Sequence, residues 1–207
     1  VWETGLYHLY DLKWNPNDAF RNYTKIVFDT KVPDGIDPDS PLFQTDDGKV
    51  SVYESGTELY YISSDEICLC GELSQMFDFF SAEEIVLNNF NTDEVTNMSL
   101  MFRGCKALRV LDLGSNFNTE NVEYMYCMFD YCNDLQSVNL SSFNTKNAVY
   151  MESMFAGMKI NLNFDGNIVK AAEFAYYKFI DKKNKEQYDG YYTHYAWIGG
   201  MRRWYED

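Results

Sequence analysis

The feature that most constrains the fold is a segment that occurs three times at nearly constant spacing. Residues 90–102, 117–129 and 143–155 each begin with Phe-Asn-Thr and end with Met-Phe, so their starting points lie 27 and 26 positions apart. A weaker copy precedes them at residues 70–77. Such a period is typical of repeat proteins, in which no unit buries its apolar face alone and stacked neighbours share one core.

Alignment of the copies places apolar residues in the same columns, which predicts that these positions face a common core. Within one copy the apolar positions recur at helical spacing, so the pattern predicts a short helix over residues 95–105 that begins after Asn-Thr. The columns are Cys70, Val95, Val122 and Ala148; Leu73, Met98, Met125 and Met151; Met76, Met101, Met128 and Met154; Phe77, Phe102, Phe129 and Phe155; and Phe80, Cys105, Cys132 and Met158.

Two copies continue into a leucine-rich stretch. Residues 108–113 and 135–140 carry Leu-x-x-Leu-x-Leu and Leu-x-x-Val-x-Leu, which predicts a short strand with its apolar side chains inward. A turn of Gly, Ser and Asn then leads to the next copy. The recurring Asn91, Asn118 and Asn144 are expected to form a ladder that satisfies backbone groups between units.

The phrases FNTDEVTNMSLMFRGCKALRVLDL and FNTENVEYMYCMFDYCNDLQSVNLSSFNT resemble the repeat of BspA-type leucine-rich-repeat surface proteins, also found as mycoplasma lipoprotein-like repeats. The resemblance covers residues 70 to about 164 and extends weakly back to about residue 23. It implies a short α/β solenoid of about four coils of 25–27 residues. It also implies surface display or secretion, and adhesion or ligand binding, without a set of catalytic residues.

The flanks differ in kind from the repeats, and three regions are predicted: 1–67, 68–164 and 165–207. Residues 23–28, 50–53 and 58–62 alternate as strands do, with hairpin turns at 46–49 and 54–57, which favours a β-rich N-terminal cap. The last region carries an aromatic strip that is expected to cap the last coil. Alternatively it stacks on sugar rings or clamps a peptide, through Tyr191, Tyr192, Tyr195, Trp197 and Trp204.

Composition excludes several classes of function. The net charge of −15 repels nucleic-acid phosphates. No apolar run reaches the roughly 18–20 residues needed to span a bilayer, and the first residues lack the pattern of a signal peptide. His8 and His194 lie in no catalytic or metal-ligand spacing, and no phosphate-binding or hydrolase motif occurs. We therefore expect no enzyme, no cofactor and no metal site.

Cys105 and Cys132 occupy the same column in adjacent copies. Adjacent strands bring equivalent Cα atoms to about 5 Å, which is within disulfide range. Side chains of one column point in parallel, however, and a bridge needs them turned toward each other. Buried free thiols are the favoured prediction, with a disulfide as the alternative.

The residues between the inward leucines are expected to face outward and to form the ligand-binding face. The predicted site residues are Glu84, Asn88, Arg109, Asp112, Gln136, Ser137 and Asn139. The predicted function is a non-catalytic surface or secreted recognition module for a protein or glycan ligand. Two alternatives stay open: a carbohydrate-binding module that uses the aromatic strip, and a structural subunit of a larger surface assembly.

Overall fold

The computed structural model describes residues 23–45, 48–151, 153–155 and 161–163 of the chain. Within those ranges the regular structure consists of strands and contains no α-helix. The strands are β1 (Lys25–Asp29), β2 (Phe43–Gln44), β3 (Ser51–Ser55), β4 (Glu58–Ile62), β5 (Ile67–Glu72), β6 (Glu84–Leu87), β7 (Phe90–Asn97), β8 (Val110–Asp112), β9 (Ser137–Asn139) and β10 (Asn161–Asn163).

Eight strands form a main sheet in the order β10-β9-β8-β6-β1-β4-β3-β2, and β5 pairs with β7 in a second, parallel sheet. The pairs from β10 to β4 are parallel, whereas β4-β3 and β3-β2 are antiparallel. Strands predicted near residues 23–28, 50–53 and 58–62 are thereby confirmed. The turn predicted at 54–57 joins β3 to β4, with Gly56 at a φ of 61°. The turn predicted at 46–49 lies partly outside the described residues.

The repeats lie side by side in the main sheet. We define repeat 1 as residues 67–89, repeat 2 as 90–116, repeat 3 as 117–142 and repeat 4 as 143–163, so that they contribute β6, β8, β9 and β10 in order. The leucine-rich stretches form β8 and β9, as predicted, with Leu111 and Val138 buried and Asp112 and Asn139 exposed. The N-terminal strands continue this sheet, because β1 lies between β6 and β4.

The helix predicted over residues 95–105 is wrong. Strand β7 continues to Asn97, and consecutive turns follow. These turns stack on the equivalent residues of neighbouring repeats, and we call the stack of residues 73–80, 98–105, 125–132, 151 and 153–155 the turn ladder. One equivalent position has a left-handed backbone in all four repeats, with φ of 62° at Gln75, 62° at Leu100, 52° at Cys127 and 54° at Ser153, which an α-helix does not allow.

The direction of the amide groups explains why turns replace the helix. The amides of Met98, Leu100 and Phe102 donate to carbonyl groups of repeat 3 at 2.8, 2.9 and 2.9 Å. The intervening amides of Met101 and Arg103 donate to the carbonyl three residues earlier, at 3.3 and 3.1 Å. Every second amide from Met98 to Phe102 thus holds neighbouring repeats together. Apolar residues three positions apart fit such i-to-i+3 turns as well as they fit a helix.

The apolar columns form the core, as predicted for the positions that the structure describes, with one exception. Phe77, Phe102, Phe129 and Phe155 stack in a continuous row with ring centroids 5.3, 5.5 and 5.5 Å apart. The exception is Cys70, which is exposed; Gly71 pairs with Val95 instead. The register of β5 against β7 shifts on both sides of this pair, and a repeat spacing cannot reveal such an irregularity. Met158 lies outside the described residues.

Threonines, and not the predicted asparagine ladder, exchange backbone hydrogen bonds between repeats. Thr92 Oγ1 donates to the carbonyl of Asn118 at 2.6 Å and accepts its amide at 2.7 Å. Thr119 repeats both bonds with Asn144, at 2.9 and 2.7 Å. The Oδ1 atoms of Asn118 and Asn144 accept the amides two residues further on, which closes an Asx-turn within each repeat.

Cys105 and Cys132 are free thiols with no exposed surface. The thiol of Cys105 donates to the carbonyl of Phe77, and that of Cys132 to the carbonyl of Phe102, both at 2.9 Å. Each thiol thus bonds back to the preceding repeat, and the prediction of buried free thiols is confirmed. Burial raises the pKa of the Cys105 thiol well above its ordinary value, because the interior disfavours the thiolate.

Candidate functional site

The outward face of the main sheet is the surface on which the predicted site residues were placed. In β6, β8 and β9 the side chains of Ile85, Leu111 and Val138 point into the core. Their neighbours face away from it, so Val110 is 50% exposed and Asp112 is also exposed. The short parallel strands therefore expose a row of mixed character, which includes the apolar Val110, the carboxylate of Asp112 and the amide of Asn139.

Part of this outward face is covered by the chain itself. Val32 and Ile36, from the connection between β1 and β2, pack on a cluster made of Val27, Tyr53, Tyr60 and Ile62. Tyr53 also donates a hydrogen bond to the carbonyl of Pro38 at 2.9 Å. The connection therefore covers β1, β3 and β4. Solvent reaches the outward side chains of β8 and β9.

A groove of about 500 Å³ opens beside the carboxyl ends of β8 and β9. Its floor is apolar and its rim carries side chains with hydroxyl, amide and carboxylate groups. Gly114 in this rim has a φ of 70°, and a Cβ there would lie 2.5 Å from the carbonyl oxygen of Leu87, so the turn can approach repeat 1 only with glycine. The lining residues are Leu111, Asp112, Leu113, Gly114, Ser115, Val138, Asn139, Ser141 and Ser142.

Asp112 and Asn139 are the two predicted site residues that this groove brings together. Each side chain closes the turn after its strand: Asp112 Oδ1 accepts the amide of Gly114 at 3.0 Å, and Asn139 Oδ1 accepts the amide of Ser141 at 2.9 Å. Neither Asp112 Oδ2 nor Asn139 Nδ2 has a hydrogen-bond partner among the residues that the structure describes. One acceptor and one donor thus remain for a ligand.

Three other predicted residues have partners within the protein. Glu84 forms an ion pair with Lys25 at 3.0 Å, and Arg109 forms one with Glu83 at 2.9 Å. Asn88 donates to Asp29 at 2.7 Å. These contacts join neighbouring strands of the main sheet. Lys25 and Asp29 belong to β1, outside the repeats, so repeat spacing gave no sign of these two partners, whereas Glu83 lies one repeat period of 26 residues before Arg109.

The remaining predicted residues are not among the described residues that line the groove. Gln136 is exposed beside β9, and Ser137 pairs in register with Val110. The aromatic strip of Tyr191, Tyr192, Tyr195, Trp197 and Trp204 lies outside the described residues. The sequence predictions overlooked Ser115 and Ser142 in the rim. The signal for both was their common place just after the leucine-rich strand of each repeat.

Within the described ranges, the side chains do not assemble a metal site: no group of three or more His, Cys, Asp or Glu is placed to hold an ion. In the same ranges, no helix has the length and apolar character needed to cross a membrane. The groove itself offers hydroxyl groups, one amide and one carboxylate. Such groups bind a polar ligand through hydrogen bonds.

The comparison with family models decides which family the chain belongs to. The model described as "Mycoplasma protein of unknown function, DUF285" matches residues 71–188. The chain belongs to the DUF285 family. This family is associated with BspA-like repeat proteins, which agrees with the coarser part of the resemblance drawn from the sequence. No curated protein and no solved structure matches the chain.

Proposed function

We propose that this DUF285 protein is a non-catalytic recognition module and that it binds a protein or glycan ligand in the groove beside β8 and β9. The observation that carries the proposal is the pair of groups that face this groove without a partner, Asp112 Oδ2 and Asn139 Nδ2. Both are already oriented by the Asx-turns that their other atoms close. A ligand would therefore find a donor and an acceptor whose positions need little ordering.

The proposal extends to architecture and location. We propose that the repeats form a short solenoid, which is supported by their parallel order in the main sheet and by the row of stacked phenylalanines. Surface display or secretion is proposed from the resemblance to BspA-type proteins. A structural role in a larger surface assembly is the alternative to ligand binding.

The test begins with the full chain on a panel of immobilised oligosaccharides and extracellular-matrix proteins. For any member that binds, the double variant Asp112→Ala with Asn139→Ala should weaken binding by about tenfold, because two hydrogen bonds are worth roughly 1–3 kcal/mol together. Its melting temperature should stay close to that of the wild type, because the variant loses only two exposed hydrogen bonds within turns. The control Glu94→Ala removes the same charge from β7 in the second sheet and should bind normally.

Two outcomes would redirect the proposal. Unchanged binding by the double variant would reject the groove. If Trp197→Ala then abolished binding, the ligand would be assigned to the aromatic strip of the C-terminal region. If no panel member binds and light scattering finds the protein self-associated, the structural alternative is favoured.

A further inference from the structure

A second surface lies on the turn ladder, which belongs to a different side of each repeat from the groove. Three large aromatic side chains are exposed there: Phe79 by 65%, Tyr131 by 56% and Tyr126 by 40%. They account for half of the large apolar side chains that are exposed in the described part of the chain. We call these three residues, together with Arg103 and Asp130, the aromatic corner.

The backbone at the aromatic corner is unfavourable for the residues it carries. Phe79 and Tyr131 occupy equivalent positions in repeats 1 and 3, with φ of 55° and 57°, and Gly104 occupies that position in repeat 2 with a φ of 70°. Only glycine adopts this region without cost. Exposed rings recover little of that cost by burial. Fold stability alone therefore favours glycine at all three positions, and the two aromatic residues need another explanation.

Gly104 also makes room for a neighbouring ring. A Cβ at Gly104 would lie 2.4 Å from Cδ1 of Phe79, so the ring of Phe79 extends along the ladder over repeat 2. The guanidinium carbon of Arg103 lies 4.9 Å from the centroid of the same ring. The corner thus already holds one cation of the protein itself, the guanidinium of Arg103, against an aromatic face.

One carboxylate at the corner has a charged hydrogen-bond partner, whereas another does not. Asp78, Arg103 and Asp130 occupy equivalent positions in repeats 1, 2 and 3. Arg103 donates to both carboxylate oxygens of Asp78, from Nε at 2.8 Å and from Nη2 at 2.6 Å. Asp130 is only 9% exposed, and its buried Oδ1 accepts no hydrogen bond. Desolvation raises the pKa of Asp130, while the charge of Arg103 and the backbone of Tyr131 act in the opposite direction.

From these contacts we propose that the aromatic corner binds a cationic side chain, an arginine or lysine of a basic segment in a protein partner. The positive group would meet the carboxylate of Asp130 beside the ring of Tyr131, in the way that Arg103 meets Asp78 beside Phe79. The net charge of −15 attracts such a segment over a distance and raises its rate of encounter. The site goes beyond the proposed function, because it shares no residue with the groove.

The test uses the full chain and a short fluorescein-labelled peptide of alternating arginine and glycine, followed by fluorescence anisotropy. The same peptide with citrulline, which keeps the shape of arginine but not its charge, is the ligand control. The arginine peptide should bind at least about tenfold more tightly than the citrulline peptide, as expected for a partly buried ion pair with a cation–π contact. Affinity should fall as ionic strength rises.

Matched variants separate a specific site from diffuse attraction. Asp130→Asn should weaken the arginine peptide by about tenfold, whereas Asp134→Asn removes the same charge from an exposed position in the same repeat and should change affinity less than about twofold. Tyr131→Ser, at a site exposed enough to leave folding intact, should weaken binding by about fivefold. The groove variant Asp112→Ala with Asn139→Ala should bind the peptide like the wild type.

Three results would overturn the proposal. An equal loss of affinity in the Asp130 and Asp134 variants would mean that net charge alone attracts the peptide. Equal binding of the citrulline peptide would make the corner an apolar contact and not a site for a cation. Wild-type affinity in both the Asp130 and the Tyr131 variants would remove the corner from the binding altogether, whatever the outcome for the groove.

Discussion

The stacked phenylalanines allow a prediction that separates the contribution of ring contacts to stability from the contribution of hydrophobic burial. Phe102 and Phe117 are both fully buried in the same core. Phe102 stacks on two rings, Phe77 at 5.3 Å and Phe129 at 5.5 Å, whereas Phe117 stacks on one, Phe143 at 5.8 Å. Replacement of either by leucine removes a similar apolar volume but a different number of ring contacts.

The expected difference follows from the number of stacked pairs. A phenylalanine-to-leucine change in a packed core costs about 1–1.5 kcal/mol for volume and area. Each aromatic pair adds about 0.5–1.5 kcal/mol beyond the buried area. Phe102→Leu should therefore lower the free energy of unfolding by about 2–4.5 kcal/mol, and Phe117→Leu by about 1.5–3 kcal/mol. The gap of about 0.5–1.5 kcal/mol is the quantity to be measured.

Urea denaturation followed by far-ultraviolet circular dichroism measures that gap, provided that the slope of free energy against urea is the same in both variants. For a chain of this size the melting temperature of Phe102→Leu should lie about 1–6 °C below that of Phe117→Leu. Equal stability of the two variants, or a larger loss at Phe117, would mean that the ring stack adds nothing to hydrophobic burial.

Three further predictions concern single positions. Gly114→Ala should cost about 2–5 kcal/mol in urea denaturation because left-handed strain adds to a steric clash, whereas Gly56→Ala, with open space around it, should cost only about 1–2 kcal/mol; equal costs would contradict the clash. The folded-state pKa of Asp130 is raised above 3.8, so in this pH range the folded state binds more protons than the unfolded state. The free energy of unfolding of the wild type should therefore fall relative to that of Asp130→Asn as the pH rises from about 3.8 through the raised pKa. Constant relative stability over that range would refute the shift. Cys105 and Cys132 should resist thiol reagents in the folded protein, and all five cysteines should react after denaturation without reductant, as peptide mass spectrometry would detect.

The repeat pattern predicted the parts of the fold that depend on local alternation and on burial. The leucine-rich stretches become β8 and β9, and the columns that contain Met101 and Phe102 become core. In each case the sequence carries the information directly, because inward and outward positions differ in side-chain type. A repeated pattern also reveals which residues of different units are neighbours.

The turn ladder shows where such reasoning fails. Whether the amide of Leu100 bonds within its own segment or to Tyr126 of the next repeat depends on a partner 26 residues away. The spacing of apolar side chains does not indicate which of these hydrogen bonds forms. The same holds for the candidate site, since Glu84 was expected to face a ligand but is held by Lys25 across the sheet. Asp112 and Asn139 occupy equivalent positions that the repeat pattern does reveal, because each side chain closes a local turn after its strand.

The position of β1 has a consequence for how the chain folds during synthesis. This strand is made before β4 and β6, yet it lies between them in the main sheet. One of its edges pairs with β6, which the ribosome reaches only after the 54 residues that separate Asp29 from Glu84. At about 5–20 residues per second, that edge stays unpaired for about 3–11 s in each new molecule. An open strand edge of this kind can pair with another chain, so we expect a chaperone that covers it to raise the yield of native protein.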